Sequence, residues 1–164
     1  MVWQLRDPTF RQAIHSLCDT VGGRCALAGT VGVQVHLARA VGANKLGPPA
    51  HGIEIVSFAA TPCPERVHGV PVALVDAMGF DASVEAGRAV IEIDAEMFPV
   101  ALPEHILGMC LGAPDLPPDA KWACFVLMRA LDGRIDLEQA RGFLKRGSSV
   151  ERQALLAELA YLAA

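Results

Sequence analysis

The 164-residue chain is poor in charge: 20% of its residues are Asp, Glu, Lys or Arg, while 52% are hydrophobic. It nonetheless lacks a run of about 18 residues free of charge and of Pro/Gly interruption, which a bilayer-spanning helix needs. No membrane span is therefore expected. The first ten residues carry Arg6 and Asp7 and no apolar h-region, so no secretory signal is expected either. Basic clustering stops at the pair Lys145-Arg146, and 14 basic residues against 18 acidic ones leave a net charge of −4. That balance argues against a nucleic-acid footprint. The five cysteines (Cys18, Cys25, Cys63, Cys110, Cys124) are odd in number and never spaced C-x-x-C. They read as reduced, mostly buried thiols of a cytoplasmic protein. No G-x-S-x-G occurs and Ser is scarce, so a serine nucleophile is not indicated. Internal repeats and low-complexity tracts are also missing.

What the chain does have is side chain to bury. Its mean hydropathy of +0.35 offers enough apolar surface to offset the entropy of ordering one domain. Asp7-Pro8 predicts a helix start, with an Asp cap and Pro at the first helical position. Phe10, Ile14, Leu17, Cys18 and Val21 follow at helical spacing. Gly22-Gly23 ends that helix. Cys25 to Ala28 reads as a buried strand, Gly29-Thr30 as a turn, and Val31 to Val41 as a helix despite its β-branched content. Residues 42–51 read as a loop. Strands are expected at Gly52–Phe58, Val70–Val75, Ala89–Ile93 and Phe98–Leu102, and everything from Pro103 onward reads as helical. Asp136 with Gln139, and Ser148 with Glu151, predict two further capped helix starts. The expected architecture is α+β: a small mixed sheet of about four or five strands, helices on one face, and an all-helical C-terminal third. Residues 1–102 would form the α/β core and 103–164 a helical part packed on it, as a single compact unit.

Few side chains suggest chemistry by themselves. Cys63 and His68 are the closest pair of soft metal ligands, but no second pair has ligand spacing, and no metal site is expected. Cys110 sits on an apolar helix face and reads as packing. Glu92 and Asp94 stand at i, i+2 on an expected strand, so both would point to one face and could hold a divalent metal. Flanked by Val90, Ile91 and Ile93, they read more readily as the solvated face of a half-buried strand. Glu54 stands alone between Ile53 and Ile55. In the last helix Val150, Ala154, Leu155, Leu159 and Leu162 either pack back on the domain or pair with another chain.

The segment from Ala26 to His36, ALAGTVGVQVH, resembles the strand–turn–helix opening of the minimal nucleotidyltransferase fold. That fold belongs to the DNA polymerase beta-like superfamily, which includes the toxin-type nucleotidyltransferases of toxin–antitoxin and abortive-infection systems. Gly29-Thr30 would be the phosphate-binding turn, and Gly52-Ile53-Glu54-Ile55 the carboxylate strand. Val100 to Cys110 is similar to the family's strand leading into a Pro-Glu helix. Lys121–Leu131 followed by Gly133–Ala140 is similar to its helix, turn and Ile-Asp helix start. The resemblance spans most of residues 24–146.

It implies two carboxylates at i, i+2 and a third on a neighbouring strand, together holding two Mg²⁺ ions that align a nucleoside triphosphate. The chain departs from that pattern at each ligand. Gly52 replaces the first carboxylate and leaves Glu54. Ala73 takes the natural place of the third, with Asp76 three residues late. Thr30 replaces the second Gly or Ser, and Cys110 stands where a Lys is common. The resemblance therefore implies a degenerate protein without nucleotidyl transfer, acting as a binding or regulatory protein with a nucleotide, a protein or a second copy of itself as partner, and with no cofactor. The alternatives are an active Mg²⁺-dependent enzyme using Glu54 with Asp76, or with Glu92 and Asp94, and an unrelated α+β interaction module.

Overall fold

The computed structural model describes residues 1–42, 47–144 and 150–164. Among them seven helices surround one six-stranded mixed sheet, so the fold is α+β with a helical C-terminal part. The helices are α1 (Pro8–Thr20), α2 (Gly29–Val41), α3 (Asp81–Gly87), α4 (Pro103–Gly112), α5 (Pro118–Ala130), α6 (Leu137–Leu144) and α7 (Val150–Ala163). The strands are β1 (Cys25–Leu27), β2 (Ile53–Ser57), β3 (Arg66–Val67), β4 (Val70–Leu74), β5 (Ala89–Ile93) and β6 (Glu96–Val100). Their order in the sheet is β3-β4-β2-β1-β6-β5. β1 runs antiparallel to β2 and parallel to β6, while β2 and β4 are parallel.

The sheet has six strands rather than the expected four or five. The additional one, β3, is two residues long and forms a hairpin with β4. Two residues are too few to show any alternation. The short α3 also went unread, since its seven residues place only Val84 in the core. The region from 98 to 102 is corrected as well. β6 begins at Glu96 and ends at Val100, so Ala101 and Leu102 lead into α4.

α1 starts as its sequence dictates, with Asp7 Oδ1 accepting the Thr9 amide at 2.9 Å. It lies on the sheet face that carries Cys25, Leu27, Val100 and Phe98. Register puts these on one side, since Leu27 pairs with Val100 and residues two apart share a face. The His15 ring stacks on Phe98 at 5.0 Å.

α2 is the central element. Every residue from Gly29 to Ala38 is buried, as expected of a helix that is apolar all round. It packs against α4 and α5 and also touches β2 and β5. Tertiary burial overrides the strand-like alternation of Val31, Val33 and Val35. Two of its buried polar side chains, Gln34 and His36, are hydrogen-bonded. Gln34 accepts the Leu5 amide at 2.8 Å and donates to the carbonyls of Trp3 and Pro48 at 3.2 and 3.0 Å. His36 Nε2–H donates to the Ala101 carbonyl at 2.8 Å. α2 thereby ties down the N-terminal arm, residue 48 of the following loop, and the junction of β6 with α4.

The helical third is layered on α2. α4 and α6 meet through a glycine: a Cβ on Gly108 would fall 2.5 Å from the Phe143 side chain. Asp136 caps α6, accepting the amides of Glu138 and Gln139 at 3.1 and 3.3 Å. The reciprocal half of that box differs from expectation. Gln139 reaches the Asp136 carboxylate, because the Asp136 amide already donates to Glu104. The expected Ser148 cap lies outside the described residues. α7 packs back on α5, burying Leu156, Leu159 and Ala163, and Arg129 donates to the carbonyls of Ala163 and Ala164. Tyr161 and Leu162 stay exposed.

Gln34 makes three hydrogen bonds with no exposure of its own. Gln34→Ala should lower the unfolding free energy by about 2–3 kcal/mol, because it strands an amide and two carbonyls. Urea denaturation measures this, and a loss below about 0.5 kcal/mol would show that water replaces the side chain.

Candidate functional site at the start of α2

Gly29 and Thr30 do not form a separate turn; they are the first residues of α2. Gly29 has a φ of +55°, a conformation that Gly adopts without Cβ strain. It is also excluded from carrying a side chain by its neighbour, since a Cβ there would lie 1.4 Å from Glu54 Oε2. The helix N-cap, Ala28, offers no side chain to the first turn. Glu54 supplies that oxygen from β2: its Oε2 accepts the Thr30 amide at 2.9 Å. The backbone fixes the approach, because the Ala28 amide donates to the Glu54 carbonyl at 2.9 Å.

A helix N-terminus is a ready anion site, with amides and the positive end of the dipole facing the ligand. Here the anion is a carboxylate of the chain itself. Burial pushes the Glu54 carboxyl above its ordinary value, against the opposing pull of the Thr30 amide and of His51. Cys110 carries no charge to offer. Its thiol is pushed well up by a hydrogen bond with Cys124, by burial, and by the nearby charges of Cys124 and Glu54.

The remaining candidate carboxylates are engaged elsewhere. Register sets Ala73 directly opposite Glu54 on β4, so the neighbouring-strand position has no acid. Asp76 lies beyond the end of β4 and accepts the Met78 amide at 2.8 Å in an exposed turn. It borders an open cavity of about 490 Å³ with Met78, Met109 and Pro114, of which Glu54 is not part. Gly52 cannot be read as a lost ligand with room to spare, since a Cβ there would meet the Pro71 carbonyl at 2.5 Å.

The expectation that Glu92 and Asp94 share a strand face is corrected. β5 ends at Ile93, and Asp94 sits in the β5–β6 turn with a φ of +51°. Its carboxylate pairs with Arg11 at 2.9 Å. Arg11 also pairs with Glu96 at 2.6 Å, which holds the Glu96 carboxyl below its ordinary range. Glu92 is exposed opposite Met97. Nor do Cys63 and His68 come together as ligands: His68 Nε2 is hydrogen-bonded to Ser16 Oγ at 2.8 Å. Among the described residues no three His, Cys, Asp or Glu side chains are grouped so as to hold a metal ion. The donor set around Glu54 does not fit a pair of Mg²⁺ ions, and no step is derived through them.

What sequence reading missed is the bond itself. A Gly at a strand–helix junction and a lone Glu on an apolar strand are each weak signals, and 24 residues separate Thr30 from Glu54.

No family model matches the chain, and no curated protein matches it. Among the described residues no helix is long and apolar enough to cross a membrane.

Because the folded value of Glu54 is raised, the folded state holds more protons than the unfolded one between about pH 4.3, the unfolded carboxyl value, and that higher value. Stability from this group is therefore present at the acid end and is lost as pH rises through the window. We expect the wild type to lose ground to Glu54→Gln as pH rises from the unfolded carboxyl value through the raised folded value, with the difference level above it. Parallel urea titrations read this, and a wild type that gains on the Gln variant as pH rises would contradict it.

Proposed function

We propose that this chain is a nucleotidyltransferase-like protein without metal-dependent nucleotidyl transfer, and that it acts as a binding or regulatory protein. The observation that carries this reading is the Glu54 carboxylate on the Thr30 amide. In a transferase of the resembled kind, that helix start would receive phosphate, and the strand acids would face metal ions. Here the acid of the strand faces the helix start instead.

Chemistry favours the internal occupant. A triphosphate would have to displace a carboxylate already fixed at bonding distance, and the like charges of the two would repel. Two-metal transfer needs several carboxylates converging within a few ångströms. Ala73 opposite Glu54, and Asp94 committed to Arg11, support the reading that this requirement has been given up.

A thermal-shift series with about 1 mM ATP, GTP, CTP or UTP, with and without Mg²⁺, tests the proposal. We expect the melting temperature to stay within about 0.5 °C of the ligand-free protein. A ligand present at 100 times its Kd adds about 2.7 kcal/mol, and for a chain of this size that is a rise of about 5–10 °C. A Mg²⁺-dependent rise of that order would contradict the proposal and favour an active enzyme.

A further inference from the structure

Cys18 lies in the last turn of α1 and is half-buried; Cys25 opens β1 and is buried. The six residues between them reverse the chain tightly. The Gly23 amide returns to the Cys18 carbonyl at 2.8 Å, and Gly22 and Gly23 take φ values of +65° and +74°. This turn leaves the two sulfurs 3.4 Å apart. A disulfide measures about 2.05 Å, so closure requires roughly 1.4 Å of sulfur movement, within reach of side-chain rotation.

The surroundings favour reaction at this pair. Arg88 parks its guanidinium beside Cys25, donating to the carbonyls of Gly23 and Cys25 at 3.0 Å each. Cys25 carries the more acidic thiol of the two. The hydrogen bond with Cys18 lowers it first, burial opposes, and Arg88 lowers it further. The same bond, together with burial, pushes the Cys18 thiol up. A hydrogen-bonded pair of cysteine sulfurs beside a cation, with one sulfur half-exposed, is an environment that favours oxidation. Cys110 differs, because its hydrogen bond with Cys124 and its burial push the thiol up, and the nearby charges of Cys124 and Glu54 push it further.

We propose that Cys18 and Cys25 are a redox-active dithiol site that hydrogen peroxide closes to an intramolecular disulfide. One thiolate attacks a peroxide oxygen; the O–O bond breaks, giving a sulfenic acid and hydroxide, which takes a proton and leaves as water. The second sulfur attacks the sulfenic sulfur, the S–S bond forms, and the expelled hydroxide leaves with the remaining thiol proton as a second water. The two sulfurs lose two electrons and the peroxide gains them. The product ties the end of α1 covalently to β1.

The test is peptide mapping of the full chain after stoichiometric peroxide and alkylation. Cleavage after arginine separates residues 12–24 from 25–39. We expect these two peptides to appear linked, two of the five thiols to be lost, and dithiothreitol to restore both. Cys18→Ser should abolish the link, and Cys63→Ser should leave it unchanged, with circular dichroism showing that both variants are folded. Retention of all five free thiols, prior oxidation of Cys110 with Cys124, or a link that requires Cys63 would each overturn the proposal.

Discussion

One hydrogen bond fixes the relation between the sheet and the helix on which the other layers rest: the Thr30 amide to the Glu54 carboxylate. α2 is buried from Gly29 to Ala38 and offers no capping side chain of its own. Its first turn must find an acceptor from elsewhere, since orphaned helix amides are costly away from water. β2 supplies it, and the two backbones are already joined through the Ala28 amide and the Glu54 carbonyl. The requirement then passes along the chain. Gly29 must be glycine because Glu54 fills the space that its Cβ would take. Gly32 is similarly confined, with a Cβ there falling 2.8 Å from Ile106 of α4.

From that anchored start α2 organises what surrounds it by satisfying buried polar groups in pairs. Gln34 secures the N-terminal arm and residue 48, where Trp3 and Ala50 form an isolated bridge. His36 donates to Ala101, and burial pushes its pKa below the ordinary value, so the neutral ring with a proton on Nε2 is the form that fits. α4, α5 and, beyond them, α6 and α7 add layers to a helix already fixed at both its sheet side and its loop side.

Much of this was legible in the sequence where local chemistry decides the outcome. Asp7-Pro8 wrote the start of α1, Asp136 with Gln139 that of α6, and the shift to helical patterning at Pro103 marked the C-terminal third. Long-range pairing was not legible. A two-residue strand such as β3 exists only because β4 lies beside it. Asp94 looked like a strand residue because Val90, Ile91 and Ile93 alternate up to it, whereas the hairpin turn claims it. The role of Glu54 depended on a bond spanning 24 residues, and no periodicity encodes which amide a lone acid will meet.

The bond also carries the functional account, because a helix start that holds its own carboxylate has no need of a phosphate. The amide of Thr30 reports on this directly in an ¹H–¹⁵N NMR spectrum. Followed through an acid–base titration and then with Mg²⁺ and a nucleoside triphosphate, its proton should shift downfield as Glu54 ionises, with a midpoint above the ordinary carboxyl value, and then stay in place when the nucleotide is added. A Thr30 amide that ignores the carboxyl titration, or that moves on nucleotide addition, would contradict the account.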